Sequence, residues 1–173
     1  QAFERRLDSA LPLSEYLVRE LGSQAELAHA DGRAHFAELA RPLYLAWLAE
    51  AYGAGGQPAE GLRVLAEAVA TAQNIGERWY EGERYRLKGD LLLALSVDHQ
   101  AEAEACFQQA LDVARHQQAK SLELRAAMSL SRLSQRQGKR DAARDLLAPL
   151  YAWFTEGFDT RDLIEAKALL DEL

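Results

Sequence analysis

The scarcities come first. A single cysteine, Cys106, in 173 residues excludes an internal disulfide, and nothing else points to secretion or an oxidising compartment. The cytoplasm is therefore the expected location. Ile, Val and Thr are few and prolines number four, so a sheet has little to be built from. The longest apolar runs, such as Leu91 to Leu95, fall far short of the roughly 20 residues a membrane helix needs, so no membrane partner is expected. Positive charge is also in deficit: 20 Lys and Arg against 27 Asp and Glu give −7, which works against phosphate-backbone binding. No nucleic-acid partner is expected. The chain opens on Gln1 with neither a methionine nor a basic, apolar leader, which suggests a piece of something longer.

What is abundant is Ala, Leu, Glu, Arg and Gln, residues that lose little freedom in a helix. Glycine supplies the stops, because it takes the left-handed conformation past a helix end at no steric cost. Gly22, Gly55, Gly76, Gly138 and Gly157 each follow a helical pattern. They delimit helices near 36–54, 58–75, 78–96, 100–118, 120–137, 139–156 and 160–172. Pro58 suits a first turn, and Asp159 or Thr160 a cap. In residues 1–35, Pro12 suits a helix start, and Ser23 with Glu26 forms a capping box after Gly22. Connections this short make neighbouring helices antiparallel.

Overlaying the helix pairs exposes a repeat. Leu45, Leu48, Ala49 and Tyr52, then Gly56, then Gly61, Leu65 and Ala68 make the first copy, 36–75. The third, 120–156, reads Ala127, Leu130, Ser131 and Ser134, then Gly138, then Ala143, Leu147 and Leu150. The second, 78–118, reads Tyr85, Lys88, Gly89 and Leu92, then Ala103, Phe107 and Ala110, with two extra residues in the Ser96–Gln100 turn. Small residues let backbones approach and large ones fill the space between pairs, which is the tetratricopeptide pattern. Ala49 to Gly89 is 40 residues and Gly89 to Ser131 is 42, against about 34 for the standard repeat. The expected fold is all-α: a single domain, 1–173, forming a superhelix of antiparallel helix pairs closed by a C-terminal capping helix, 160–173. Leu163, Ala166, Leu170 and Leu173 would form its inward stripe, with Asp171 outward.

From Trp79 to Leu173 the runs YRLKGDLLL, AEACFQQAL, AKSLELRAAMSLSRL, QGKRDAARDLLAPLYAWFTEGFDT and EAKALLDEL resemble the C-terminal tetratricopeptide-like region of large bacterial signalling ATPases. Some of these are linked to adenylate or guanylate cyclase domains and others are transcriptional regulators. ARPLYLAWLAEAYGAGGQ extends the likeness back to about Ala40. The resemblance implies a regulatory parent protein, whose other domains would be natural partners of this one.

Catalytic and cofactor signals are missing. The Gly53, Gly55, Gly56 cluster is followed by no Lys-Ser/Thr and preceded by no strand, so it is a hairpin turn rather than a phosphate loop. His29, His35, His99 and His116 are never three or four apart, and no second cysteine completes a zinc site. Cys106 has no basic neighbour in sequence to activate it. Neither an enzyme nor a cofactor is expected. Trp79, Tyr80, Trp153, Phe154 and Phe158 read as core between repeats rather than as a ligand cage.

One surface has a functional pattern. In this repeat class the leading helices line a concave groove, and the positions facing it include Glu50, Glu83, Arg86, Asp90, Arg125, Arg132, Gln135 and Arg136. Arg125, Arg132 and Arg136, seven and four apart, share a stripe that would grip carboxylates of an acidic peptide or partner helix. The competing reading is an ordinary solvated face with Arg86 held by Glu83 and Asp90. The expected role is a protein-interaction and signal-relay module; the alternative is an inducer sensor of a transcriptional regulator.

Overall fold

The computed structural model describes the backbone of residues 32–173 and the side chains from residue 38 onward. The expected Pro12 helix start, the Gly22 stop and the Ser23–Glu26 capping box lie outside the described residues. Every regular element among the described residues is helical. The chain forms two compact units, Gln1–Arg78 and Trp79–Leu173.

In the first unit α1 (Gly32–Ala54) packs on α2 (Pro58–Ile75). The reversal depends on Gly56, whose φ of 74° is left-handed, and not on Gly55. Gln57 N–H then returns to the carbonyl of Tyr52 at 2.9 Å, and Pro58 sits in the first turn of α2, where its missing donor is no loss. Ala46, Ala49, Val64, Leu65, Ala68 and Ala72 form the buried seam. Small residues dominate it, so the two helices approach closely.

The second unit contains α3 (Glu81–Leu95), a single 3-10 turn (Val97–His99), α4 (Gln100–His116), α5 (Lys120–Arg136), α6 (Arg140–Ala152) and α7 (Arg161–Glu172). The two extra residues of the Ser96–Gln100 turn are absorbed by the 3-10 turn, where Asp98 N–H donates to Ser96 Oγ at 3.1 Å. Gly138 takes φ 78° after α5, as its position in the sequence suggests. The α4–α5 reversal has no glycine; Gln118 adopts φ 56° instead. The α6 helix stops at Ala152, short of the expected 156. Its last turn tightens, with Trp153 N–H on Leu150 O and Phe154 N–H on Tyr151 O, both three residues back. Thr160 precedes α7 but does not cap it. Its hydroxyl donates backwards to Gly157 O at 2.6 Å and accepts nothing from the helix.

Two helix pairs of this unit show close approaches at small residues. A Cβ built on Gly89 would stand 2.8 Å from Phe107 Cδ1, so the ring occupies the place of the absent side chain. At the equivalent position of the next pair, Ser131 is fully buried and donates to Ala143 O at 3.1 Å. Phe107, Leu147, Ala103 and Ala110 are all fully buried. The leading helices also touch one another, α3 on α5 and α5 on α7, whereas no Cα of α4 comes within 8 Å of one in α6. The last helix packs on both α5 and α6, so its covered arc is wider than one stripe. Leu163, Ala166 and Leu169 are buried, and Leu170 and Leu173 flank them, a shift from the expected Leu163, Ala166, Leu170, Leu173 series.

The aromatic expectation needs correcting. Tyr80 is buried and Phe154 packs at the margin of the core. Trp79, Trp153 and Phe158 instead stand roughly half exposed. They lie just outside helix ends, on segments the structure leaves irregular, so the helical spacing that suggested burial does not apply to them.

Candidate functional site

The eight expected groove residues divide into three groups. Glu50 is exposed on α1 in the first unit. Glu83, Arg86, Asp90 and Arg125 form an ionic cluster between α3 and α5. Arg132, Gln135 and Arg136 line a hollow between α5 and α7.

The cluster centres on Glu83, only 1 % exposed. Its Oε1 accepts from Arg86 Nε at 2.9 Å and from Arg86 Nη2 at 2.5 Å, and forms an ion pair with Arg125 Nη2 at 2.8 Å. Positions 83, 86 and 90 share one face of α3 because they are three and four apart, and α5 lies against that face. Arg86 uses its remaining nitrogen on Asp90, to which Ser129 Oγ of α5 also donates at 3.5 Å. Burial pushes the Asp90 carboxyl above its ordinary range, opposed by Arg86, by Ser129 and, more weakly, by Arg132. Two cations and two carboxylates cancel, and this neutrality is what makes burial of the set tolerable. Glu83 Oε2 is the exception, buried with no hydrogen-bond partner. Arg86 is indeed held by Glu83 and Asp90, with Glu83 and Arg86 in the interior and Asp90 and Arg125 at its partly exposed edge.

Continuing down α5, Arg132 Nη2 pairs with Glu165 Oε2 of α7 at 3.1 Å, and Arg161 Nε reaches Glu165 Oε1 at 2.7 Å. Hydrogen bonding from Arg161, reinforced by Arg132, holds the Glu165 carboxyl below the usual range against partial burial. Charges therefore alternate along the leading helices, from Arg125 through Glu83, Arg86, Asp90, Arg132 and Glu165 to Arg161. The three arginines of the expected stripe have separate roles. Arg125 ties α5 to α3, Arg132 ties α5 to α7, and Arg136 is exposed.

Beyond the Arg132–Glu165 pair the two helices leave an open hollow of about 340 Å³, lined by Arg132, Gln135, Arg136, Glu165, Ala168, Leu169 and Glu172. Its walls are mostly polar, with Ala168 and Leu169 supplying the apolar part. Its lining includes no Ser, Thr, Cys or His. Cys106 is buried on α4 with its thiol pushed up by burial, and no His, Cys, Asp and Glu group with metal-binding geometry occurs among the described residues. No helix among the described residues is long and apolar enough to cross a membrane.

No family model, curated protein or solved structure matches the chain. The site must be read from its geometry alone.

Several important residues were not singled out by sequence reasoning. Glu165 and Glu172 are seven apart on α7 and share the side facing Arg132 and Arg136. The helical spacing is visible in the sequence, but a capping helix gives no reason to expect carboxylates turned towards α5. Glu123 is a second omission. It is nearly buried in the first turn of α5, accepting from Arg115 Nε at 3.0 Å and from Lys120 Nζ at 2.7 Å. Burial works to raise its carboxyl, but these two donors outweigh it and hold it below the usual range. The pair clamps the reversal at Gln118. An acidic residue three after a lysine is a common exposed pattern, so nothing in the sequence marked this one as buried.

Proposed function

We propose that the chain is a protein-interaction and signal-relay module, tetratricopeptide-like in its repeats, within a larger bacterial regulatory protein. It acts by binding, without catalysis, in the cytoplasm. The observation that carries this reading is the α5–α7 hollow, where Arg132, Gln135 and Arg136 present donors at an open face between successive leading helices. The small-to-large repeat and the contacts between leading helices support the superhelical reading. They also agree with the likeness to the C-terminal regions of signalling ATPases.

The binding surface is narrower than the full stripe. Arg125 and Arg86 are committed to Glu83, so a partner segment engages Arg136, Gln135 and the exposed edge of Arg132. Arginine forks at such a place favour carboxylates, which points to an acidic segment. The sensor of a small inducer is the second reading, favoured by the size of the hollow, which lies at the lower end of the range for small-ligand sites.

Panning a random peptide display library against the immobilised chain tests the first reading. Enriched peptides should be acidic, and Arg132→Glu with Arg136→Glu should abolish their capture while the helical circular dichroism is kept. An enrichment indifferent to both substitutions removes the groove from the proposal.

A further inference from the structure

The lining of the α5–α7 hollow holds one unexplained pair of charges. Arg132 and Glu165 face each other across it and close as an ion pair. Arg136 and Glu172 line the same hollow from the same two helices with the same opposition of sign. They do not pair with each other, and neither side chain has an ion pair or hydrogen bond to any other described residue. Helix geometry explains the gap. With α6 reversing the chain between them, α5 and α7 run in the same direction. Arg136 lies four residues beyond Arg132, a rise of about 6 Å, whereas Glu172 lies seven beyond Glu165, about 10.5 Å. The level pair closes, and the next pair is staggered by about 4.5 Å along the axis.

We propose that this hollow is a subsite for a ligand group carrying a carboxylate and an ammonium a few ångströms apart, bridging Arg136 and Glu172. The carboxylate accepts from the Arg136 guanidinium, with the Gln135 amide as a second donor. The ammonium donates to the Glu172 carboxylate. Ala168 and Leu169 take a short aliphatic part. A single anion satisfies only half of the lining, because Glu172 repels it; a single cation meets the same obstacle at Arg136. The hollow is too polar for an apolar inducer and at about 340 Å³ is sized for one or two residues. This chemistry has two sources, a free amino acid or dipeptide and neighbouring Lys and Glu side chains of a partner segment. The proposal rests on the reading of the α5–α7 face as a binding surface and goes beyond it in requiring Glu172.

Calorimetric titration of the whole chain with two probes tests it. The first is Ala-Ala with both ends free, compared with its N-acetylated, C-amidated form and with acetate. The second is an end-blocked helical peptide carrying adjacent Lys and Glu. At least one charged probe should bind saturably, with Arg136→Gln and Glu172→Gln each weakening it by about tenfold, the loss of one charge-assisted hydrogen bond. Binding of the free dipeptide alone assigns the site to a small molecule, and binding of the blocked peptide assigns it to a partner segment. Both support the proposal. Three results overturn it: neither probe binds, acetate binds as tightly as the dipeptide, or Glu172→Gln leaves the affinity unchanged. Acidic peptides captured by library panning and lost on Arg136→Glu, but indifferent to Glu172→Gln, would leave the interaction module standing and remove only this inference.

Discussion

The α3–α5 and α5–α7 junctions are built from the same kinds of residue, arginines and carboxylates bridging two helices, yet they behave oppositely. At the first, Glu83 is enclosed, hydrogen-bonded twice by Arg86 and ion-paired with Arg125. At the second, Glu165 is half-buried and Arg136 and Glu172 remain apart across open space. A charge that is desolvated becomes part of the structure, because losing its partner strands it. A charge left in water stays available for a ligand.

The sharpest way to break the contrast is to delete the central carboxylate of each junction and follow urea unfolding. Glu83→Ala leaves Arg86 and Arg125 facing each other without their shared acceptor and should cost about 3–5 kcal/mol. Glu165→Ala, at an exposed pair, should cost less than about 1 kcal/mol. Equal losses would mean that the two junctions do not differ in solvation. The apolar contact beside the ionic one gives a reference of intermediate size. Gly89→Ala forces Phe107 out of its place and should destabilise by about 1–3 kcal/mol. Measured by the same unfolding transition, no change would show that the α3–α4 approach is looser than the structure has it.

Acid sharpens the comparison further. Glu165 and, at the α4–α5 turn, Glu123 have carboxyls held below their ordinary 4.5. Stability from them is present above that value and is lost as pH falls through the depressed folded values. Asp90 works the other way. Its carboxyl is raised above 3.8, so its contribution is complete below that value and is lost as pH rises through the folded value. Asp90→Asn should therefore match or exceed the parent by up to about 1 kcal/mol at pH 7, the difference disappearing below pH 3.8. Denaturant melts of the two proteins across that range check the sign, and a variant weakest at neutral pH would refute it. The smallest expected effect is at the reversal between the pairs. Gln118→Gly relieves a left-handed φ of 56° and should stabilise by up to about 1 kcal/mol in a thermal melt, unless the Glu123 clamp already offsets the strain.

Local chemistry explains how much was legible beforehand. Helix identity and order followed from composition and glycine placement, because Gly76 and Gly138 act on their own few residues and adopt the left-handed φ of a helix stop; Gly157 is left-handed too, but α6 has already ended at Ala152. The pairing of small and large residues was also readable. Gly89 with Phe107 and Ser131 with Leu147 correspond once the two extra residues of the Ser96–Gln100 turn are allowed for, and close helix contact gives the small residues at 89 and 131 a purpose. The spacing of Glu83, Arg86 and Asp90 on one helical face was equally plain.

Whether that face met water or another helix was not a property of α3 at all. Only the packing of α5 against it turned Glu83 into a buried acceptor, bound Arg125 to the fold and left Arg136 outside. The exposure of Trp79, Trp153 and Phe158 was decided in the same way, by where the helices ended and which neighbours reached them. Sequence by itself determined which residues share a helix face, since periodicity is set by backbone geometry over a few residues. Burial and pKa depend on the solvent displaced by distant segments, and so the division between structural charges and those free to bind belonged to the tertiary structure.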